Sequence, residues 1–269
     1  MKLEEYLSQI ILSENLDFKL LDPSIITSFD PSKKDYSYKA PGRSNNIKFS
    51  EKQLKFPKEN SLINDDKKRV ALHSFANHEL LAVEIMAHAI LQLYKSDEQL
   101  PIVKTLLNTI KDEQKHFKLY NKRMGELGGG FGEFPVNDFF WKHMSSISSF
   151  DEYFAIMSLT FEAANLDFAN HYRNIFKKMD DIKTSNVLKI VFDDEISHVH
   201  VGAVWLNKWK EDKSLWEYYS ETLPWPITPA RSKGISYNRN HRLEAGISSA
   251  FLNELEAFDD SFGITKRKK

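Results

Sequence analysis

Four segments of this chain of 269 residues repeat their apolar residues at the three- and four-residue spacing of an α-helix. They span roughly 66–95, 98–124, 150–178 and 184–210. Only a few residues join the first segment to the second and the third to the fourth, which favours antiparallel neighbours. About 25 residues separate the second from the third, enough when extended to reach from one end of a bundle to the other. The spacing therefore predicts an all-α fold of two hairpins joined by a long crossover.

The second and fourth segments each carry one copy of Asp-Glu-x-x-His, at Asp112-Glu113-x-x-His116 and Asp194-Glu195-x-x-His198. At this composition about 0.05 copies are expected by chance, so two copies are a strong signal. Because residues i and i+3 share a helix face, each motif directs a carboxylate and an imidazole to one point. These ligand types suit iron or manganese.

The first and third segments each offer a glutamate at matching distance, since Glu79 precedes Glu113 by 34 residues and Glu162 precedes Glu195 by 33. The sequences around Glu79 and Glu162 are similar, which indicates a weak internal duplication of one hairpin. A dinuclear site in a four-helix bundle takes one Glu from each of two helices and a Glu-x-x-His motif from each of the others. The predicted metal ligands are therefore Glu79, Glu113, His116, Glu162, Glu195 and His198.

Glu84 and Asp167 are alternative ligands, each five residues after Glu79 or Glu162. A five-residue step turns about 140° around a helix, so both acids of a pair cannot face one centre. Glu79 shares its face with apolar residues, whereas the face of Glu84 is more polar, and we favour Glu79 and Glu162. The alternative is a bundle that binds no metal, in which these residues only form hydrogen bonds.

Composition excludes several kinds of site. The sequence has no cysteine, which removes disulfides, zinc fingers, iron–sulfur clusters and thiol catalysis from these residues. With 37 basic and 38 acidic side chains, broad binding to nucleic acid or membranes through net charge is not expected. No apolar run is long enough for a membrane span, and the N-terminus lacks signal-peptide features, so we expect a cytoplasmic protein.

Residues outside the helical segments form two further regions. Residues 1–64 contain four prolines among polar clusters, which predicts an N-terminal arm with turns and no core of its own. We expect the bundle to occupy 65–210, and a C-terminal tail to occupy 211–269 with a last helix near 243–258.

Several stretches carry a resemblance to known proteins: HSFANHELLAVEIMAHAIL (73–91), DEQKHFKLY (112–120), FPVNDFFW (134–141), LTFEAANLDFA (159–169), DEISHVHVG (194–202) and TPARSKG (228–234). Together with PGR at 41–43 they resemble the bacterial family called domain of unknown function 455, within the ferritin-like superfamily of di-iron carboxylate proteins. The resemblance covers most of residues 65–255. It implies an up-down-down-up four-helix bundle and two iron ions, with manganese or a mixed pair as alternatives, but supplies no reaction.

The Asp before each motif is similar to that of bacterial multicomponent monooxygenases, where it hydrogen-bonds the histidine of the opposite motif. The resemblance therefore implies that Asp112 orients His198 and that Asp194 orients His116. In the tail, Arg231 and Lys233 offer a basic loop that could bind an anionic substrate. A solvated, ion-paired loop is the alternative for those two residues.

The expected function is a dinuclear non-haem iron protein that activates O2 as an oxidase or oxygenase of a small organic substrate. Without an electron-transfer cluster of its own, such an enzyme would draw electrons from the substrate or from a separate donor. We expect a monomer or a small homo-oligomer. The alternatives are a ferroxidase or iron-storage protein and a rubrerythrin-like peroxidase, the latter weakened by the missing four-cysteine iron domain.

Overall fold

A computed structural model describes residues 1–32, 34–47, 49–50, 55–144 and 146–259. In these ranges every regular element is helical, and the β-bridges are isolated pairs of residues. The all-α prediction is therefore confirmed for the described residues. The chain packs as two compact units, Met1–Ile147 and Ser148–Lys269.

The first unit contains α1 (Leu3–Leu12), α2 (Leu16–Lys19), α3 (Asp65–Leu93), α4 (Leu100–Glu126) and α5 (Phe139–Met144). The two long helices confirm the predictions at 66–95 and 98–124, and they pack against each other. Asp65 and Asp66 lie in the first turn of α3, where negative charge favours the helix dipole. Pro101 occupies the second position of α4, where its missing N–H would have no helical partner anyway.

The N-terminal segment covers one face of α3. The apolar face of α1 is buried, and α1 and α5 both pack on α3. Every residue of α3 from Glu79 to Leu91 is buried. The backbone of Gly42 lies against the end of α1, donating to Ile11 O at 2.8 Å, and a Cβ there would lie 2.2 Å from Leu12 O. Glycine in the Pro-Gly-Arg stretch therefore permits this close approach.

The second unit contains α6 (Phe150–Ile156), a π-helical segment (Met157–Glu162), α7 (Ala163–Lys178), α8 (Ile182–Trp209), α9 (Leu215–Thr222), α10 (Arg239–Glu244) and α11 (Ser249–Ala257). The first three elements follow each other directly and occupy the predicted helix at 150–178. The helix predicted at 184–210 is confirmed as α8, which packs on α7. The side chain of Asp181 accepts from the backbone N–H of Thr184 at 3.0 Å and caps the start of α8.

The π-helical segment was not predicted from the sequence. Within it the hydroxyl of Thr160 donates to Ala155 O, five residues earlier, at 2.8 Å. The segment packs on α8 at Gly202, where a Cβ would lie 2.2 Å from Ser158 Cβ. A glycine at this position of α8 therefore leaves room for the π-helical turn. Such turns occur often at functional sites.

Among the described residues, none of the helices combines the length and apolar character needed to cross a bilayer.

Candidate metal centre

In the first unit, α3 and α4 bring together Glu79, Glu113 and His116. His116 Nδ1 lies 3.0 Å from Glu113 Oε2 and 4.0 Å from Glu79 Oε2. One potential ligand atom from each residue lies within 4.8 Å of the others. All three residues are buried, with at most 5% of their surface exposed. This buried cluster has the ligand types and the spacing to hold a metal ion.

The second unit contains the other predicted ligands. Glu162 ends the π-helical segment, and Glu195 and His198 lie on α8. His198 Nδ1 is 3.5 Å from Glu195 Oε2, and ligand atoms of Glu162 and His198 lie within 4.8 Å of each other. These residues are also buried. We call Glu79, Glu113 and His116 the first triad and these three residues the second triad. The two triads have the same composition, two glutamates and one histidine.

The two oxygens of Glu195 have different surroundings. Oε1 accepts a hydrogen bond from Asn165 Nδ2 at 2.7 Å. Oε2 is buried and has no hydrogen-bond partner within the described part of the chain. The contact with Asn165 was missed from the sequence, although its position three residues after Glu162 places it on the same helix face. A buried carboxylate oxygen without a hydrogen-bond partner is suited to bind a cation.

The donor set fits a hard divalent metal. Burying a carboxylate costs several kcal/mol unless a positive charge compensates it. The two triads together bury four carboxylates, Glu79, Glu113, Glu162 and Glu195. Divalent iron or manganese would provide that charge, and both accept carboxylate and imidazole ligands.

Glu84, the alternative to Glu79, forms ion pairs with two basic side chains of the N-terminal segment. Lys19 Nζ lies 2.8 Å from Glu84 Oε1, and Arg43 Nη2 donates to Glu84 Oε2 at 2.7 Å. Arg43 Nη1 also contacts Oε1. Lys19 and Glu84 are fully buried, and burial lowers the pKa of Lys19 despite the neighbouring carboxylate. The polar face of α3 seen in the sequence is therefore the binding surface for this segment.

Asp167, the alternative to Glu162, likewise forms an ion pair with a basic side chain of the C-terminal region. Arg242 donates to both of its oxygens, at 3.0 and 2.8 Å. The backbone N–H groups of Gly234 and Asn238 donate to it at 2.9 Å each. Side chains of Asp167 and Arg242 are at most 1% exposed. This buried pair anchors the tail on α7.

The remaining predicted site residues lie in different settings. Asp112 is half-buried on α4 and pairs with Lys115 at 3.3 Å, and Asp194 is half-buried on α8. Lys233 donates to Leu255 O and Phe258 O at 3.0 and 3.2 Å, which caps the end of α11. Burial lowers its pKa. Arg231 is half-buried. The orienting role of the two aspartates and the substrate role of the two cations stay predictions.

Comparison with known proteins gives a family. The sequence model of the family described as "Protein of unknown function (DUF455)" matches residues 7–253. An uncharacterized protein of Haemophilus influenzae is 26% identical over 151 residues, which cover 54% of this chain and 52% of the relative. The match thus spans about half the length of that relative. No solved structure matches the chain significantly.

Proposed function

Because this chain belongs to the DUF455 family, whose description names no activity, we propose its function from its own side chains. We infer a dinuclear non-haem metal centre, with iron as the preferred metal, in an enzyme that uses O2 to oxidise a small organic molecule. The observation that carries this inference is that two glutamates and a histidine are buried in each unit. Ligand atoms of Glu79, Glu113 and His116 lie within 4.8 Å of one another, as do those of Glu162 and His198.

We infer further that the two hairpins combine as a ferritin-like four-helix bundle, so that both triads serve one centre. The matching spacing supports this arrangement, since Glu79 to Glu162 is 83 residues and Glu113 to Glu195 is 82. The long crossover before α6, which includes α5, suits an up-down-down-up order of helices.

The two metal ions of this centre would be held by the six predicted ligands, Glu79, Glu113, His116, Glu162, Glu195 and His198. Two ferrous ions, when bound, would supply the electrons that begin the reduction of O2. The glutamates would neutralise the cations, and burial of all six side chains would keep bulk water away. Asp112 and Asp194 would fix the tautomer and ring angle of the histidines.

The substrate and the source of electrons lie outside the chain in this proposal. The 269 residues contain no cysteine, and thiolate-held iron–sulfur clusters are therefore not available to deliver electrons. We propose that a separate donor, or the substrate itself, completes the reduction. An anionic substrate would be drawn to the basic loop that contains Arg231 and Lys233.

Metal content of matched variants tests the centre. Protein produced with iron should carry about two metal ions per chain, as in other dinuclear bundles. Glu79→Gln should lower this content, whereas Glu84→Gln, five residues away on the same helix, should leave it unchanged in the folded fraction. Glu126→Gln at the end of α4 is a second control if Glu84→Gln folds poorly. Equal metal content in Glu79→Gln and the controls would contradict the ligand assignment.

Oxygen uptake tests the redox function separately. Protein loaded anaerobically with ferrous ions should consume O2 rapidly at an oxygen electrode and develop new visible absorption. The metal-free protein and Glu79→Gln should do neither. A metal-loaded protein that ignores O2 would overturn the oxidase or oxygenase proposal while leaving metal binding intact.

A further inference from the structure

The carboxylate of Glu195 is held by a side chain that belongs to neither motif. Asn165 lies on α7, three residues after Glu162, and its amide donates to Glu195 Oε1 at 2.7 Å. Glu195 is buried, with 1% of its surface exposed, whereas Asn165 is half-buried. The contact therefore joins α7 to a carboxylate that sits inside the unit.

This hydrogen bond distinguishes the two oxygens of Glu195. The amide takes up part of the electron density of Oε1 and restricts rotation of the carboxylate. Oε2 is left buried without a hydrogen-bond partner among the described residues, and lies 3.5 Å from His198 Nδ1. A metal ion held by His198 would thus meet a carboxylate presented through one oxygen.

The first hairpin has no equivalent donor at the same spacing. Three residues after Glu79 the chain has Ala82, whose methyl side chain cannot donate a hydrogen bond. The two triads therefore share their ligand types and differ in the residue at the position of Asn165. Groups that hydrogen-bond metal ligands commonly change metal affinity about 10- to 100-fold.

We infer that Asn165 is a positioning residue that holds Glu195 for binding through Oε2 and makes the two metal positions unequal in affinity. This inference rests on the proposed dinuclear centre. In this role Asn165 would orient Glu195 through its amide and would not itself be a metal ligand.

Titration with Mn²⁺ alone, followed by calorimetry and by the electron paramagnetic resonance signal of the free ion, tests the inference without enzymatic activity. The wild-type chain should bind in two steps of different affinity. Asn165→Ala should weaken one step about 10- to 100-fold and leave the other within about twofold. Asn207→Ala is the matched control, because Asn207 donates to Ala203 O on α8 at 2.9 Å, and both steps should stay unchanged.

Titration with Co²⁺ adds a spectroscopic measurement. The visible bands of the Co²⁺-loaded wild-type protein and of Asn207→Ala should coincide, and those of Asn165→Ala should shift because the Glu195 carboxylate changes its mode of binding. A purely structural role for Asn165 would not move these bands.

The outcomes separate the two proposals. A wild-type chain that binds neither ion would overturn the metal centre and the role of Asn165 together. Two Mn²⁺ steps and Co²⁺ bands that are the same in Asn165→Ala and wild type would overturn only the positioning role. Equal weakening of both steps in Asn165→Ala would overturn the inferred inequality of the two positions.

Discussion

The ammonium of Lys19 lies 2.8 Å from a carboxylate oxygen of Glu84, and both side chains are fully buried. Arg43 brings a second cation to the same carboxylate. In the second unit Asp167 receives Arg242 in a similarly buried pair. Glu84 and Asp167 each follow a candidate metal ligand by five residues. Each of the two hairpins thus carries a second acid, which binds a flanking segment of the chain.

Removing the charge of Glu84 should destabilise the protein more than removing Lys19. Glu84→Gln leaves two buried cations without a counter-charge, which should cost about 3–5 kcal/mol. Lys19→Met leaves Glu84 paired with Arg43 and should cost less. Urea unfolding of the metal-free proteins measures both. Lys34→Met is the control, because its pair with Glu4 is largely exposed and its loss should change the stability little. A Glu84→Gln variant as stable as this control would contradict the role of the buried pair.

Asp167→Asn should release the C-terminal region. An amide cannot accept all four hydrogen bonds that the carboxylate receives from Arg242, Gly234 and Asn238. Limited trypsin digestion should therefore cut near residues 231–242 at least about 10-fold faster, because local opening becomes cheaper. In the control Glu256→Gln, which loses a partly exposed pair with Arg239, the cutting rate should change little. Unchanged cleavage in Asp167→Asn would show that the anchor lies elsewhere.

Acid should weaken the contact between α3 and the crossover at His73. The backbone N–H of Gly132 donates to His73 Nε2 at 3.0 Å, and burial lowers the pKa of His73 from 6.5 to about 4. The unfolded chain therefore binds a proton at a higher pH than the folded one. The contribution of His73 to the free energy of unfolding is fully present above pH 6.5. It falls by up to about 3 kcal/mol as the pH drops towards 4.

The His73 prediction is checked by urea unfolding at several pH values between 7 and 4. His73→Gln should be less stable than wild type at pH 7, and its stability should fall less steeply with acid. Parallel curves for the two proteins would assign the pH dependence to other groups.

Gly202→Ala should disturb the π-helical segment. Its new Cβ would lie 2.2 Å from Ser158 Cβ, and overpacking of this kind costs about 1–3 kcal/mol. Gly125→Ala is the matched control, since a Cβ at that helical position meets nothing within 4 Å and should be neutral or stabilising by up to about 1 kcal/mol. Thermal unfolding measures both. Equal effects of the two substitutions would mean that α8 adjusts freely at Gly202.

Much of the candidate site could be predicted from the sequence because its signals are local. Helical periodicity predicted the four long helical segments, and the i,i+3 spacing of Glu113 and His116 predicted that they share a face. The same reasoning separated Glu79 from Glu84 by their helix faces. It treated residues 1–64 as an arm without a core, since amphipathic periodicity does not show what a short helix such as α1 will cover.

By itself, then, the sequence determined the four long helical segments, the all-α class and the residues that each turn of helix presents together. The tertiary structure alone decided that Lys19 and Arg43 meet Glu84, that Asn165 supports Glu195, and that a π-helical segment precedes α7. The physical reason is distance along the chain. A helix turn is set by neighbours within four residues, whereas the partner of a buried charge comes from a remote segment and is chosen only when packing removes both from water.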